Sequence, residues 1–337
     1  MIFAAMQDGM RLGLGGAPLG NLFQPVAEAE AGALLAHAWH DGCRTFDTAP
    51  HYGNGLSEHR FGTALRRMPR DEWVLSSKVG RLLEPDATAP ADQNSYIGVL
   101  PFRQRWDYSA AGVRRSVEDS LQRLGLARLD IAFIHDCDAT THGVDHGRIR
   151  DQIFRETLPA LRDLQATGLI RHIGLGVNDV AICLDLLAAS RIDCLLLAGR
   201  YSLIDHTALA ELLPLAARCG TRIALGGIFN SGILATGVRG VEAAARFDYA
   251  KADRRWIDRV AAIETICTEE GVPLRAAALQ FPLAHPSVDL VLAGAQTIAQ
   301  WDDTRTHLRH PIGADFWQRL RTAGLLPASA PVPGAPA

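Results

Sequence analysis

Lysine is nearly missing from this chain: Lys78 and Lys251 are the only two in 337 residues, while arginine raises the basic total to 34. Arginine therefore carries the ordinary surface charge. An ammonium kept in LSSKVGR, at the end of an apolar run, points to a need for a compact cation with a tunable proton. An excess of charge is also missing, with a net charge of −3 and 21% charged residues, so no polyanion or nucleic-acid partner is expected. No stretch approaches the ~20 consecutive apolar residues of a membrane span. The opening MIFAAMQDGMRL is broken too early by Asp8 to be expected to act as a signal peptide. The six cysteines contain no CxxC pair, which argues against a disulfide framework or a zinc site and makes a reducing cytoplasm the expected compartment. Linkers are lacking too. Only LLPASAPVPGAPA has that composition, and residues 326–337 are expected to form a mobile tail.

What remains is 48% hydrophobic and strongly ordered along the chain. Short apolar runs (RLGLGG, CRTFDTA, WVLSSKVG, LDIAFIHD, IRHIGLGVN, DCLLLAG, TRIALGG, LVLAG) alternate with amphipathic stretches of helical length, including 151–167, 179–190, 207–219 and 254–270. Eight apolar strands separated by helices predict a parallel sheet closed as a (β/α)8 barrel over residues 1–325; a doubly wound open sheet is the alternative. Three connections, roughly 80–108, 136–149 and 227–251, are long and follow strands three, four and seven. In a barrel that is the face where chemistry occurs, so they read as pocket walls or as surface decoration.

Four titratable residues fall at strand ends or just beyond them: Asp47, Tyr52, Lys78 and His135. A phenol near neutral pH needs its pKa lowered by roughly 3 units, or about 4 kcal/mol, to exchange protons readily. An ammonium ~4 Å away supplies about 4 kcal/mol at an effective dielectric near 20. Lys78 is thus expected to tune Tyr52, Asp47 to hold Lys78, and a neutral His135 to direct a substrate oxygen. Each alone has a plain structural reading as a cap, a packed ring or a solvated end; together around one barrel mouth they favour catalysis.

The segments FDTAPHYGNGLSEHRFG, LSSKVGR, LQRLGLARLDIAFIHD and GLGVND resemble the aldo-keto reductase superfamily over nearly the whole chain. Within it, APHYGNGLSEHR, KVGRLL, LAGRYSL and GGIFNSGIL are similar to the branch of D-threo-aldose (L-fucose) dehydrogenases and pyridoxal 4-dehydrogenases. The resemblance implies that Asp47, Tyr52, Lys78 and His135 match the catalytic tetrad. It further implies that a nicotinamide dinucleotide lies along Gly294, Ala295, Gln296, Thr297, Gln300 and Asp303, with Asn178 on the carboxamide. Thr297 and Gln300 are also spaced as a capping box, which leaves helix N–H groups for a phosphate. Thr297 and Gln300 stand where relatives that prefer NADP carry Arg or Lys, so NAD is the expected cofactor, with NADP possible through Arg305.

Val177 and Ala198 replace the Ser and Gln that usually complete the carboxamide grip, and Arg200 is a candidate to compensate. Phe229 is a candidate to cover the nicotinamide, or a core residue. The expected substrate is a small sugar lactol, bound by His51, Trp106 and Asn230 with help from Asn94 and Gln104, and oxidised at C1 to the lactone. Pyridoxal, which also closes to a hemiacetal, is the alternative; an NADPH-dependent aldehyde reductase and a cofactor-binding regulatory subunit are further rivals. GLGGAPLG lacks the third glycine of a dinucleotide fingerprint. HDCDATTHGVDH reads as a polar loop, with no metal expected. Oligomeric state is not legible.

Overall fold

The eight apolar runs form eight parallel strands that close on one another: β1 (Leu12–Gly15), β2 (Thr45–Asp47), β3 (Val74–Val79), β4 (Leu129–His135), β5 (Ile170–Val177), β6 (Cys194–Ala198), β7 (Arg222–Gly226) and β8 (Val288–Gly294). They appear in a computed structural model that describes residues 2–240 and 245–334. Each strand pairs with its neighbours in sequence, and β8 returns to β1, which gives the predicted (β/α)8 barrel. Among the described residues no helix is long and apolar enough to cross a membrane.

Register explains how separate segments reach one mouth. Asp47 pairs with Ser76, Lys78 with Phe133, and His135 with Gly176. Because strand side chains alternate between faces, Lys78 lies on the same face as Ser76 and His135 on the same face as Phe133. The functional positions therefore climb two residues from one strand to the next while all facing inward. Below them the interior is filled by Phe3, Ile131, Phe133, Cys194, Leu196, Ala224, Leu290 and Leu292. Glycine makes the room: a Cβ at Gly174 would fall 2.4 Å from the Phe133 ring, and one at Gly176 would meet Phe133 Cβ at 3.2 Å and Lys78 Cε at 3.6 Å.

The helical layer departs from expectation in three places. The stretch 207–219 is helical only over Leu212–Cys219, because the Asp205 side chain accepts from Thr207 N–H and Oγ1, and the Ala208 N–H is spent on the Arg200 carbonyl. A helix at Leu274–Leu283 follows Arg254–Glu270 without having been expected; its run of buried Ala276, Ala277, Ala278 and Leu279 hides any 3.6-residue period, and Pro282 stands in its last turn. The helix expected at 151–167 starts at His146 and passes through a π turn at Ile153–Thr157, from which Thr157 Oγ1 donates to the Tyr108 carbonyl.

The long connections are built rather than loose. Residues 80–108 contain an antiparallel hairpin, Arg81–Pro85 with Phe102–Trp106. The 227–251 connection has short helical turns and a two-residue hairpin, and its residues 241–244 lie outside the described residues. The Pro/Ala-rich end corrects the reading of a mobile tail at 326–337. Leu326, Ala330 and Val332 are buried, and the Arg321 guanidinium donates to the Ala330 carbonyl at 2.6 Å. Its three final residues, 335–337, are outside the described set.

Candidate active site

At the barrel mouth the Lys78 ammonium is buried and its three N–H groups are all engaged: Asp47 Oδ2 at 2.8 Å, Asp47 Oδ1 at 3.0 Å and the Thr48 carbonyl at 2.9 Å. Asp47 Oδ1 also accepts from Ser76 Oγ at 2.7 Å. The ammonium lies over the Tyr52 ring, 4.5 Å from its centroid. Burial holds the lysine pKa below its usual value, opposed by the charge of Asp47.

This corrects the expected tuning of Tyr52. Its phenol is pushed well above its ordinary value, first by burial and then by the charge of Asp47. Lys78 spends its donors on Asp47 and Thr48 and meets the ring face, so the resting phenol keeps its proton. Among the described residues no protein group makes a hydrogen bond to the Tyr52 hydroxyl, which leaves it available to a ligand. The ring stacks on buried Tyr96 with centroids 6.1 Å apart and planes at 25°. Tyr52 and His135 meet edge to face at 6.3 Å.

Both imidazoles at this mouth are neutral. Burial, then the Arg81 guanidinium, depresses His51 to about 3, and the same two causes hold His135 well below its usual range. The unfolded chain protonates these rings near pH 6.5 while the folded chain does not, so stability falls as pH drops from 6.5 towards 3. The slope is at most about 1.4 kcal/mol per pH unit for each imidazole. We expect the thermal midpoint to fall between pH 7 and pH 5, and to fall less in His51→Gln; an equal fall in that variant would remove His51 as a cause.

Two adjoining cavities open on these groups. The smaller, about 270 Å³, is lined by His51, Tyr52, Lys78, His135 and Asn178, with Asn94, Ser95, Tyr96, Asp136, Thr141 and Tyr249 on its walls. The larger, about 380 Å³, runs from Asn178 past Phe229 and Asn230 to Gly294, Gln296 and Gln300 at the start of the helix Ile298–Arg309. Asn178 borders both, and among the described residues its carboxamide has no hydrogen-bond partner in the protein. Asn230 is buried with its Oδ1 unpartnered while its amide donates to the Gly199 carbonyl at 3.1 Å. Unsatisfied amide groups along an elongated cavity that ends at a helix N-terminus fit a dinucleotide with a carboxamide at one end and phosphates towards the other.

The helix start is capped differently from the expected box. Thr297 Oγ1 accepts from the Gln300 N–H, but the Gln300 side chain accepts from the Gln296 N–H at 2.7 Å, one residue further back than Thr297.

Other expected residues are placed elsewhere. Arg200 grips Asp248 at 2.6 and 3.0 Å and lines neither cavity, so it does not complete the grip of Asn178. Asp303 pairs with Arg275 at 2.8 Å, Ala295 is buried behind the wall, and Thr297 is an exposed cap. Asn230 belongs to the larger cavity, with Phe229, and not to the smaller one. Trp106 is 38% exposed and stacks on Tyr108 at 5.8 Å, beside a side cavity that it shares with His51, Arg81, Asn94 and Gln104. Arg305 bonds Asp41 and, at 3.1 Å, Asp8, away from the larger cavity. In the polar loop Asp138 caps the turn at Thr141, and His142 Nε2 lies 3.0 Å from both the Tyr108 hydroxyl and the Asp136 carbonyl.

Sequence reasoning missed Tyr96, Tyr249, Arg81 and Asp136 as wall residues. A usable signal existed for the first two: they are two of only five tyrosines, and both fall in long loops after strands.

The family model described as "Aldo/keto reductase family" matches residues 11–324. A pyridoxal 4-dehydrogenase of Microbacterium luteolum is 43% identical over 326 residues, covering 94% of each chain. A D-threo-aldose 1-dehydrogenase of a Pseudomonas species is 36% identical over 320 residues, again 94% of each. Among solved structures, an aldo-keto reductase from Bacillus halodurans in its holo form superposes with a TM-score of 0.72 at 23% identity, covering 95% of this chain and 93% of that one.

Proposed function

The chain belongs to the aldo/keto reductase family of oxidoreductases, and we propose that it oxidises a cyclic hemiacetal to a lactone with a nicotinamide dinucleotide as oxidant. The observation that carries this reading is the meeting of a phenol whose hydroxyl has no protein partner among the described residues and a neutral imidazole in one small cavity, where a second, elongated cavity begins at Asn178. When bound, the oxidised cofactor accepts the hydride and brings a positive charge that favours loss of a proton nearby.

His135 Nε2–H donates to the anomeric oxygen and fixes its direction. Tyr52 faces the same oxygen: its phenolic proton passes first to solvent in the cavity, and the phenolate then takes up the hydroxyl proton as the carbonyl forms and the hydride leaves the anomeric carbon. Lys78, neutralised in part by Asp47, keeps a positive field on the ring throughout. Asn178 offers a free carboxamide to the cofactor's carboxamide, and the helix beginning at Ile298 offers N–H groups to its phosphates. A lactol already carries the oxygen that a lactone needs, so neither an acyl-enzyme nor a nucleophilic cysteine is called for.

The substrate reading is a sugar lactol, supported by Asn94, Ser95, Asp136 and Thr141, which line the small cavity and can pair buried hydroxyls. A second reading is pyridoxal, supported by the rings of Tyr52, Tyr96 and Tyr249 in the same wall and by the pyridoxal 4-dehydrogenase relative. NAD is preferred to NADP. No lysine or arginine lines the larger cavity among the described residues, Arg305 is occupied by two carboxylates, and Arg246 reaches the lining only through the Phe23 ring, 5.5 Å away.

One assay tests both choices: cofactor reduction with L-fucose, D-arabinose, L-galactose, D-glucose and pyridoxal, each with NAD and with NADP. Turnover with threo-configured sugars and a kcat/KM ratio favouring NAD are expected. Pyridoxal turnover alone would keep the chemistry and replace the substrate; a large advantage for NADP would overturn the cofactor preference. Silence with all five substrates would sink the oxidation reading in favour of a reductase or a regulatory subunit.

A further inference from the structure

We infer that Asp136 is a substrate-anchoring residue whose free carboxylate oxygen accepts a hydrogen bond from the hydroxyl on the carbon next to the one oxidised. The inference rests on the lactol oxidation proposed above and adds the feature by which the lactol is chosen.

Asp136 lines the small cavity, with its side chain a quarter exposed. Its Oδ2 accepts from the Arg81 guanidinium at 2.5 Å and lies 3.5 Å from His135 Nε2, whereas among the described residues nothing donates to Oδ1. The backbone is held from several sides. Its N–H donates to the Gly176 carbonyl at 3.1 Å, and its carbonyl faces the Tyr108 hydroxyl at 3.2 Å and His142 Nε2 at 3.0 Å. With φ at 44°, a non-glycine residue is kept in the left-handed region, a conformation that persists only where the surroundings over-determine it. A carboxylate fixed this firmly with one oxygen unused is a preorganised acceptor.

Its charge and position select the ligand. Arg81 neutralises the carboxylate, so the pair presents an acceptor with little net charge and suits a neutral hydroxyl better than a cation. His135 Nε2 addresses the reacting oxygen. The two oxygens of a vicinal diol lie about a hydrogen-bond length apart, and Asp136 Oδ2 stands 3.5 Å from that imidazole nitrogen with the unbonded Oδ1 on the same carboxylate. A lactol seated on His135 therefore brings its neighbouring hydroxyl to Asp136. Burial raises the Asp136 pKa and the Arg81 guanidinium opposes that rise, so the arginine is what keeps the carboxylate an acceptor.

The test compares an accepted aldose with its 2-deoxy counterpart in the wild-type chain, Asp136→Ala and Asp136→Asn. In the wild type we expect kcat/KM to favour the hydroxylated sugar by on the order of 100-fold or more, since a site built to pair a hydroxyl rejects the analogue lacking it. In Asp136→Ala the ratio should fall to about one through loss of activity on the hydroxylated sugar, a change that a merely structural role would not produce. The asparagine isostere should keep part of the ratio, and it decides the matter if the alanine variant does not fold. A wild type that oxidises both sugars equally, or a ratio unchanged in both variants, overturns the role of Asp136 and leaves lactol oxidation standing. A wild type inactive on every lactol sinks both.

Discussion

Tyr52→Phe is expected to lower turnover by about 10²–10⁴-fold, the usual contribution of a positioned proton donor and acceptor, while cofactor affinity and the thermal midpoint stay close to wild type. The second half of that expectation comes from the contacts. No protein group bonds the Tyr52 hydroxyl among the described residues, so its removal strands no partner, and the ring keeps its stack on Tyr96 and its place under Lys78. The loss in rate corresponds to roughly 3–5 kcal/mol of transition-state stabilisation. Steady-state oxidation rates beside a fluorescence titration of the cofactor would check it. Near-normal turnover would remove Tyr52 from proton transfer.

Lys78→Met should damage both stability and turnover, for separable reasons. With the ammonium gone, the buried carboxylate of Asp47 keeps Ser76 Oγ as its one side-chain partner among the described residues. Breaking a buried pair by removing one member costs about 3–5 kcal/mol, chiefly because the other charge is left uncompensated. Removing both charges in Asp47→Asn/Lys78→Met relieves that penalty, so the double variant should recover most of the thermal stability and none of the turnover. A double variant as unstable as the single one would show that the lysine stem, rather than the pair, supports the fold. A return of turnover would show that the field of Lys78 is not needed at Tyr52.

Much of this is legible in the amino-acid sequence, for reasons that differ by residue. Asp47, Lys78 and His135 sit on short apolar strands whose period of two and near-continuous hydrophobicity fix both the face and the end. Residues outside such a lattice were read less well. Arg200, Asp303, Trp106 and Asn230 follow strands or lie on helices close to the right places, but the partner each side chain takes is set by tertiary neighbours such as Asp248 and Arg275. The same holds for Tyr52. Its position was legible, but the sign of its pKa shift depended on where Lys78 sends its three donors. The helix Leu274–Leu283 escaped because an alanine-rich segment buried on most sides shows no amphipathic period. The tail escaped because proline and alanine signal disorder by composition, whereas Leu326, Ala330 and Val332 find a surface to cover.

The hairpin that follows β3 has a bearing on how such a barrel could be refitted for another substrate. Its first residue, Arg81, bonds Asp136 across the mouth, and Gln104 on its return strand lies 2.8 Å from His51. Transplanting another hairpin between Gly80 and Tyr108 would leave the strand-borne groups where they are, but a graft without an arginine at its first position would strip the Asp136 carboxylate of its guanidinium partner. The exchangeable module is therefore the hairpin together with its arginine, and libraries that vary residues 82–105 around a retained Arg81 should yield more folded, active members than libraries that vary the whole connection.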